Sequence, residues 1–154
     1  MGDRALLIGY GNPLRGDDGL GPYVADHLAA DLLPADRRVA CHELTPEFAV
    51  PLSEARLVIF VDASRDLAPG EVACARIAPA PPGQGAFSHA LTPAALLALA
   101  RDLYGASPPA WLLSAGADTL DYIEGLSPAV RSVLPALREQ LRTLLAGEGA
   151  TAHA

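Results

Sequence analysis

Apolar residues run in short stretches that break at glycine and proline, and the breaks set out the elements. Arg4 to Gly9 (RALLIG) is a continuous apolar run closing on glycines, which predicts a buried strand. Leu20, Val24, Leu28 and Leu32 recur four apart, which predicts a helix over 20–33 ended by Pro34. Arg38 to Leu44 reads as a second strand. TPEFAVPLSEA reads as a short helix, with Thr45 as N-cap and Pro46 in the first helical position. RLVIFVDAS is the clearest strand, a buried run closing at Asp62, and Glu71 to Ile77 follows as another. After the breaker-rich loop 79–85, Thr92 caps a helix ended by Gly105. AWLLSAG is the last strand, and Ser127 caps a long helix to about Ala146. Strands alternate with helices. The expected class is therefore α/β, a single domain over 1–146 whose twisted, mostly parallel sheet of about five strands carries helices on both faces, with 147–154 a flexible tail.

Composition narrows the function classes. The chain has 154 residues, 51% hydrophobic and 19% charged, enough for one real core. A net charge of −7 makes it a poor partner for nucleic acid or an anionic membrane surface, and suits it to cations or a basic partner. No apolar run approaches membrane-spanning length. The two cysteines, Cys41 and Cys74, form no CxxC pair and lie in strand-like segments, which predicts buried, reduced thiols. MGDRALLIGY enters a strand at once without signal-peptide organisation, and Leu6 stands where a myristoylation site wants Ser or Thr. The expectation is a cytoplasmic protein, and with no heptad run, a monomer.

In parallel sheets, ligands sit beyond the carboxyl ends of the strands. Four features follow strand ends here: the loop GYGNPLRGDDGLG, Asp62, the loop holding His89, and SAGADTLDYIEG. In the first loop Gly9 and Gly11 permit tight turns, Asn12 before Pro13 orders a turn, and Gly16 and Gly19 flank two adjacent acids. Its G-x-G-x-x-x-x-G spacing misses the dinucleotide fingerprint, there is no Gly-Lys-Ser/Thr ending, and adjacent carboxylates repel a pyrophosphate. Asp17 suits a helix N-cap, a role in which Asn serves comparably, so Asp17→Asn is expected to cost less to function than Asp18→Ala or His89→Ala if capping is its role. Two acids cannot both cap one end, which leaves Asp18 as either a surface acid or a functional one. Asp62 and His89 each have ordinary structural readings as well. His27, His42 and His153 are weaker candidates. Asp18, Asp62 and His89 together make two oxygens and one nitrogen, a set that suits a divalent transition metal with open positions.

The same residues carry a family resemblance. GYGNPLRGDDGLG resembles the G-x-G-N-x-L-x-x-D-[DE]-G-x-G signature of the [NiFe]-hydrogenase maturation endopeptidases. VIFVDAS matches that family's Asp-Ala motif, FSHALTPAALLALA its His motif before a helix, and IEGLSPAV its segment ahead of the last helix. The resemblance covers nearly the whole chain. It implies an endopeptidase that removes the C-terminal extension of the hydrogenase large-subunit precursor after nickel insertion. The metal-contacting residues carry over onto Asp18, Asp62 and His89, which are also the implied catalytic set, and the nickel is supplied by the precursor. Gly9, Gly11, Asn12, Asp17 and Gly19 shape the loop. Many members have Glu where this chain has Asp18, one methylene shorter. CHELTPEFA replaces an Asp-Gly-Gly-Thr-type segment, and its Leu-Thr-Pro-Glu resembles the branch serving soluble, cytoplasmic NAD-linked hydrogenases.

Two mechanisms fit the resemblance. The metal polarises the scissile carbonyl or a bound water, or it only orients the substrate while a carboxylate activates water. Two other function classes stand beside it: a non-catalytic nickel- or precursor-binding assembly factor, and an unusual nucleotide-binding protein.

Overall fold

In the computed structural model the described residues are 4–81 and 91–147. Five strands form one sheet: β1 (Ala5–Tyr10), β2 (Arg38–Cys41), β3 (Leu57–Pro69), β4 (Val72–Ile77) and β5 (Ala110–Gly116). The order is β2-β1-β3-β5-β4, with β4 antiparallel at one edge and the others parallel. The helices are α1 (Leu20–Tyr23), α2 (Ala49–Ser53), α3 (Pro93–Tyr104) and α4 (Pro128–Leu145).

The apolar runs are continuous because the central strands are buried on both faces. Successive side chains of a strand point to opposite faces. Ala5 and Leu7 of β1, with Leu57, Ile59 and Val61 of β3, join a core with Leu20, Val24 and the stripe Val130, Leu137, Leu141 and Leu144 of α4. Leu6 and Ile8, with Val58 and Phe60, join a second core with Leu52 of α2 and Leu96, Leu97 and Ala100 of α3. Two layers of helix thus close over one sheet, as the alternation of elements predicts.

The two long helix ends behave as expected. Thr92 Oγ1 accepts from Ala95 N at 3.1 Å, and Gly105 ends α3 with φ +70°. Ser127 Oγ accepts from Val130 N at 3.3 Å at the start of α4. No helix among the described residues is long and apolar enough to cross a membrane.

Four expectations are corrected. The first helix is not continuous over 20–33. After α1 comes a π-helical turn, Val24–Leu28, in which Ala29 N reaches Val24 O at 2.9 Å. The wider turn rotates the buried stripe, so Ala25 and Ala29 are buried while Leu28 and Leu32 sit at its margin. β2 ends at Cys41, and Leu44 is buried from a loop instead. Thr45 makes no capping bond; its hydroxyl is buried without a partner, and Pro46–Phe48 is a 3-10 turn leading into α2. Cys41 and Cys74 are free thiols on β2 and β4, as expected, but half-buried because both strands lie at sheet edges.

The chain leaves β1 for β2 on one side and returns to β3 on the other. The carboxyl ends of β1 and β3 therefore open a crevice at the point where the winding reverses, the usual ligand position in such sheets. The segment after β1 approaches that opening very closely. A Cβ on Gly9 would collide with the Gly21 carbonyl oxygen, so only glycine lets α1 start directly over the end of β1.

What pins the segment is Asp17. It is fully buried and caps nothing on its own helix. Its Oδ1 accepts from Ser127 N at 2.7 Å; its Oδ2 accepts from Ser127 Oγ at 2.8 Å, Asp118 N at 2.8 Å and Thr119 N at 3.2 Å. Its own amide donates to Thr119 O at 2.9 Å, and Gly16 N donates to Ile123 O at 2.7 Å. Burial pushes the carboxyl up, but the donors from Ser127, Asp118 and Thr119 outweigh it and leave Asp17 below its ordinary 3.8. The capping role expected for Asp17 is therefore corrected, and with it the ground for expecting Asn to substitute well. Asparagine offers one oxygen to four donors and turns an N–H₂ group toward some of them. We expect Asp17→Asn to lose roughly 2–4 kcal/mol at pH 7, read by chemical denaturation. A lowered carboxyl stabilises above its unfolded pKa and ceases to do so as pH falls through the folded one. The gap between wild type and variant should therefore persist at pH 5 and narrow only below about pH 4.

Candidate functional site

The glycine loop leaves β1 with Gly11 N donating to Cys41 O at 3.0 Å. Asn12 then orders the turn as expected: its Oδ1 accepts from Leu14 N at 3.0 Å. Its backbone N–H donates to Asp18 Oδ2 at 2.7 Å, which aims the half-buried carboxylate back across the loop. Gly11 has φ +144°, and a Cβ there would strike the Asp18 carbonyl. Gly19 packs on Pro13, where a Cβ would lie 2.9 Å from Pro13 Cα.

Asp62 stands where the buried run of β3 ends, and Asp18 and Asp62 line one crevice of about 420 Å³ together with Ser64, Arg65, Asp66 and Ser114. Burial and then the neighbouring Asp18 charge push Asp62 up from 3.8 to about 6, with a smaller opposing pull from Ala63 N, Tyr10 and Arg65. The Tyr10 hydroxyl, at the carboxyl end of β1, donates to Asp62. Burial, followed by the Asp62 charge, raises Tyr10 far above the phenol range, so it stays protonated and remains a donor. The crevice thus holds a pinned carboxylate beside a second one whose proton is exchangeable near neutral pH. Such a pair can bind a cation through both oxygens, or take a proton from water.

The structure brings Asp18 and Asp62 together. His89 lies outside the described residues, as does His153. Among the described residues no group of three His, Cys, Asp or Glu is placed to hold a metal ion. His27 and His42 are both exposed. His27 packs its ring 5.0 Å from Tyr23 and lines a separate cavity of about 270 Å³ between the glycine loop and the start of α4.

The sequence reading singled out Asp18 and Asp62 but not the other polar residues of the crevice, Ser64, Arg65, Asp66 and Ser114. Tyr10, which contacts Asp62 from β1, had a readable signal, since it sits inside the motif at a strand's carboxyl end. Ser114 had none, because its place depends on the β3·β5 pairing that sets it opposite Asp62.

The two loops bordering the crevice are fastened to each other. Arg15 Nε donates to Leu120 O at 3.1 Å, and its guanidinium lies 5.1 Å from the Tyr122 ring centre. Around this seam Leu14, Tyr122 and Ile123 are exposed, Tyr122 by 80%.

No protein-family model and no curated protein sequence matches the chain. Solved structures do. The hydrogenase maturating endopeptidase HybD from E. coli is 23% identical, covering 95% of this chain and 94% of that one, with a TM-score of 0.71. The [NiFe] hydrogenase maturation protease HycI from Thermococcus kodakarensis is 23% identical over 94% and 93%, with a TM-score of 0.68. A hydrogenase 2 maturation peptidase from a Thaumarchaeota archaeon is 25% identical over 93% and 98%, with a TM-score of 0.65. The likeness establishes a shared fold over nearly the whole chain, among the same proteins that the sequence motifs resemble.

Asp62 also makes a stability prediction. A carboxyl raised in the folded state costs stability in full above its folded pKa, and the cost fades as pH falls toward the unfolded value. Asp62→Asn, which keeps an acceptor for Tyr10, should stabilise the fold by roughly 1–2 kcal/mol at pH 7, discounted for partial exposure. The gain should shrink between pH 6 and about 4, the window set by the shift from 3.8 to about 6. Equal melting temperatures of wild type and variant at pH 7 would contradict it.

Proposed function

We propose that this chain is an endopeptidase that trims the C-terminal extension from the large-subunit precursor of a [NiFe]-hydrogenase after nickel has been inserted. The observation that carries the reading is the Asp18–Asp62 pair, set in the switch-point crevice of a fold shared with maturation endopeptidases. In this reading the nickel arrives with the substrate, and Asp18 and Asp62 meet it with His89 as third contact.

The residues divide the work. Asp18, held by Asn12 N, keeps its charge directed into the crevice and attracts the incoming cation. Asp62 presents its carboxylate to the nickel and to water, takes a proton from that water and can return it to the leaving amine. Tyr10 holds Asp62 by its hydroxyl. A polypeptide substrate also needs apolar surface beside the reacting groups, and Leu14, Tyr122 and Ile123 offer it on the bordering loops. The CHELTPEFA segment assigns the partner to the branch of soluble NAD-linked hydrogenases within this proposal.

The test is the intact mass of a nickel-loaded precursor before and after incubation with the protein. A loss equal to a C-terminal peptide, absent with nickel-free precursor, is expected. Asp18→Ala and His89→Ala should abolish that loss while the variants still melt cooperatively. An unchanged mass with the precursor retained in a pull-down would make the chain a binding factor instead. Tyr122→Ala combined with Ile123→Ser should raise the half-saturating precursor concentration roughly tenfold, with turnover at saturation within about twofold of wild type.

A further inference from the structure

We infer that Arg65 donates to the carbonyl oxygen of the peptide bond being cut and carries the negative charge that builds there, an inference that rests on the proposed processing reaction. Hydrolysis makes the need plain. Water adds to the carbonyl carbon, the carbonyl electron pair moves onto oxygen, and a water proton passes to a carboxylate. That proton then reaches the departing nitrogen as the C–N bond breaks. The intermediate is an oxyanion, and it forms in a crevice whose lining includes Asp18, Asp62 and Asp66. The nickel that Asp18 and Asp62 meet in the proposed reaction offsets their charges, which leaves Asp66 beside the oxyanion and the oxyanion in need of a directed donor.

Arg65 is the one positive residue among the described lining residues. It is exposed and enters no salt bridge among the described residues, so its five N–H donors are not committed to a protein carboxylate. Its backbone is held by the turn that follows: Ser64 Oγ accepts from Asp66 N at 3.1 Å and Leu67 N at 3.2 Å. Arg65 also lines the adjoining cavity, about 280 Å³, with Ala117, Asp118, Thr119 and Leu120. It therefore stands where the two cavities share a lining residue. The other side-chain donors of the crevice are the hydroxyls of Ser64 and Ser114; both are neutral, and Ser114 is only 8% exposed.

The experiment compares wild type, Arg65→Ala, Arg65→Gln and Arg65→Lys on nickel-loaded precursor, measuring single-turnover cleavage and precursor affinity separately. Removing an oxyanion donor typically costs at least ~100-fold in rate, and that loss is expected for Ala and Gln with precursor affinity within about threefold of wild type. Lysine, which keeps the charge but not the fork, should fall between. Free guanidinium ion at low concentration should partly restore Arg65→Ala. Melting temperatures should match wild type, because Arg65 is exposed. A cleavage rate for Arg65→Ala near that of wild type overturns the inference. So does an equal loss of rate and affinity without guanidinium rescue, which would make Arg65 a docking contact. Failure of wild type itself to cut verified nickel-loaded precursor would sink the processing function and this inference with it.

Discussion

One buried carboxylate holds in place the segment that brings Asp18 to the crevice. Asp17 takes four hydrogen bonds from Ser127, Asp118 and Thr119, and through them fastens the segment after β1 to the segment between β5 and α4. Those two segments are more than a hundred residues apart, and each would otherwise be a surface loop free to sample many conformations. Bonds to a charged acceptor are worth more than neutral ones, and a buried carboxylate with four donors is held far more strongly than an exposed one. Gly16 N on Ile123 O and Arg15 on Leu120 O extend the same seam outward. Asp18 is the next residue along the chain, so its direction follows from the placement of Asp17.

The site sets stability against chemistry. Asp17 is fully satisfied and its charge is stabilised. Asp62, where the buried run of the adjacent strand ends, is partly buried beside another carboxylate and its charge is disfavoured. The two acids differ because of the number and kind of donors around them: four for Asp17, against Tyr10 and Ala63 N for Asp62. A perturbed carboxylate in a crevice at the switch point of a doubly wound sheet is a costly arrangement for structure alone and a useful one for catalysis. The apolar collar of Leu14, Tyr122 and Ile123 has the same character, since it exposes surface that folding by itself would bury.

Much of this was legible in the sequence. The runs of β1 and β5, the Thr92 and Ser127 caps, the Gly105 stop and the α/β class with helices on both faces all follow from local periodicity and capping chemistry, and the structure carries each of them. The placement of Asp18 and Asp62 at neighbouring strand ends was also readable, because both follow buried runs and parallel sheets gather such ends on one side. The motif's glycines were legible as close approaches, of which Gly9 against Gly21 is the sharpest case.

Tertiary structure alone decided the rest. The π turn at Val24–Leu28 arises where α1 packs onto β1 and β3, and helical spacing in sequence contains no term for that contact. Thr45 had the right residue type for a cap and made no capping bond, because capping preference is local and its hydroxyl was buried by distant packing. Asp17 read as a cap for the same reason, while its real partners lie at 118, 119 and 127, out of reach of any local rule. Tyr10 and Ser114 meet Asp62 only through strand pairing and burial. Sequence determined which segments are strands and helices and which acids stand at their ends, since those depend on neighbours along the chain. The order of the strands, the desolvation of Asp62 and the satisfaction of Asp17 depend on neighbours in space, and only the folded chain supplied them.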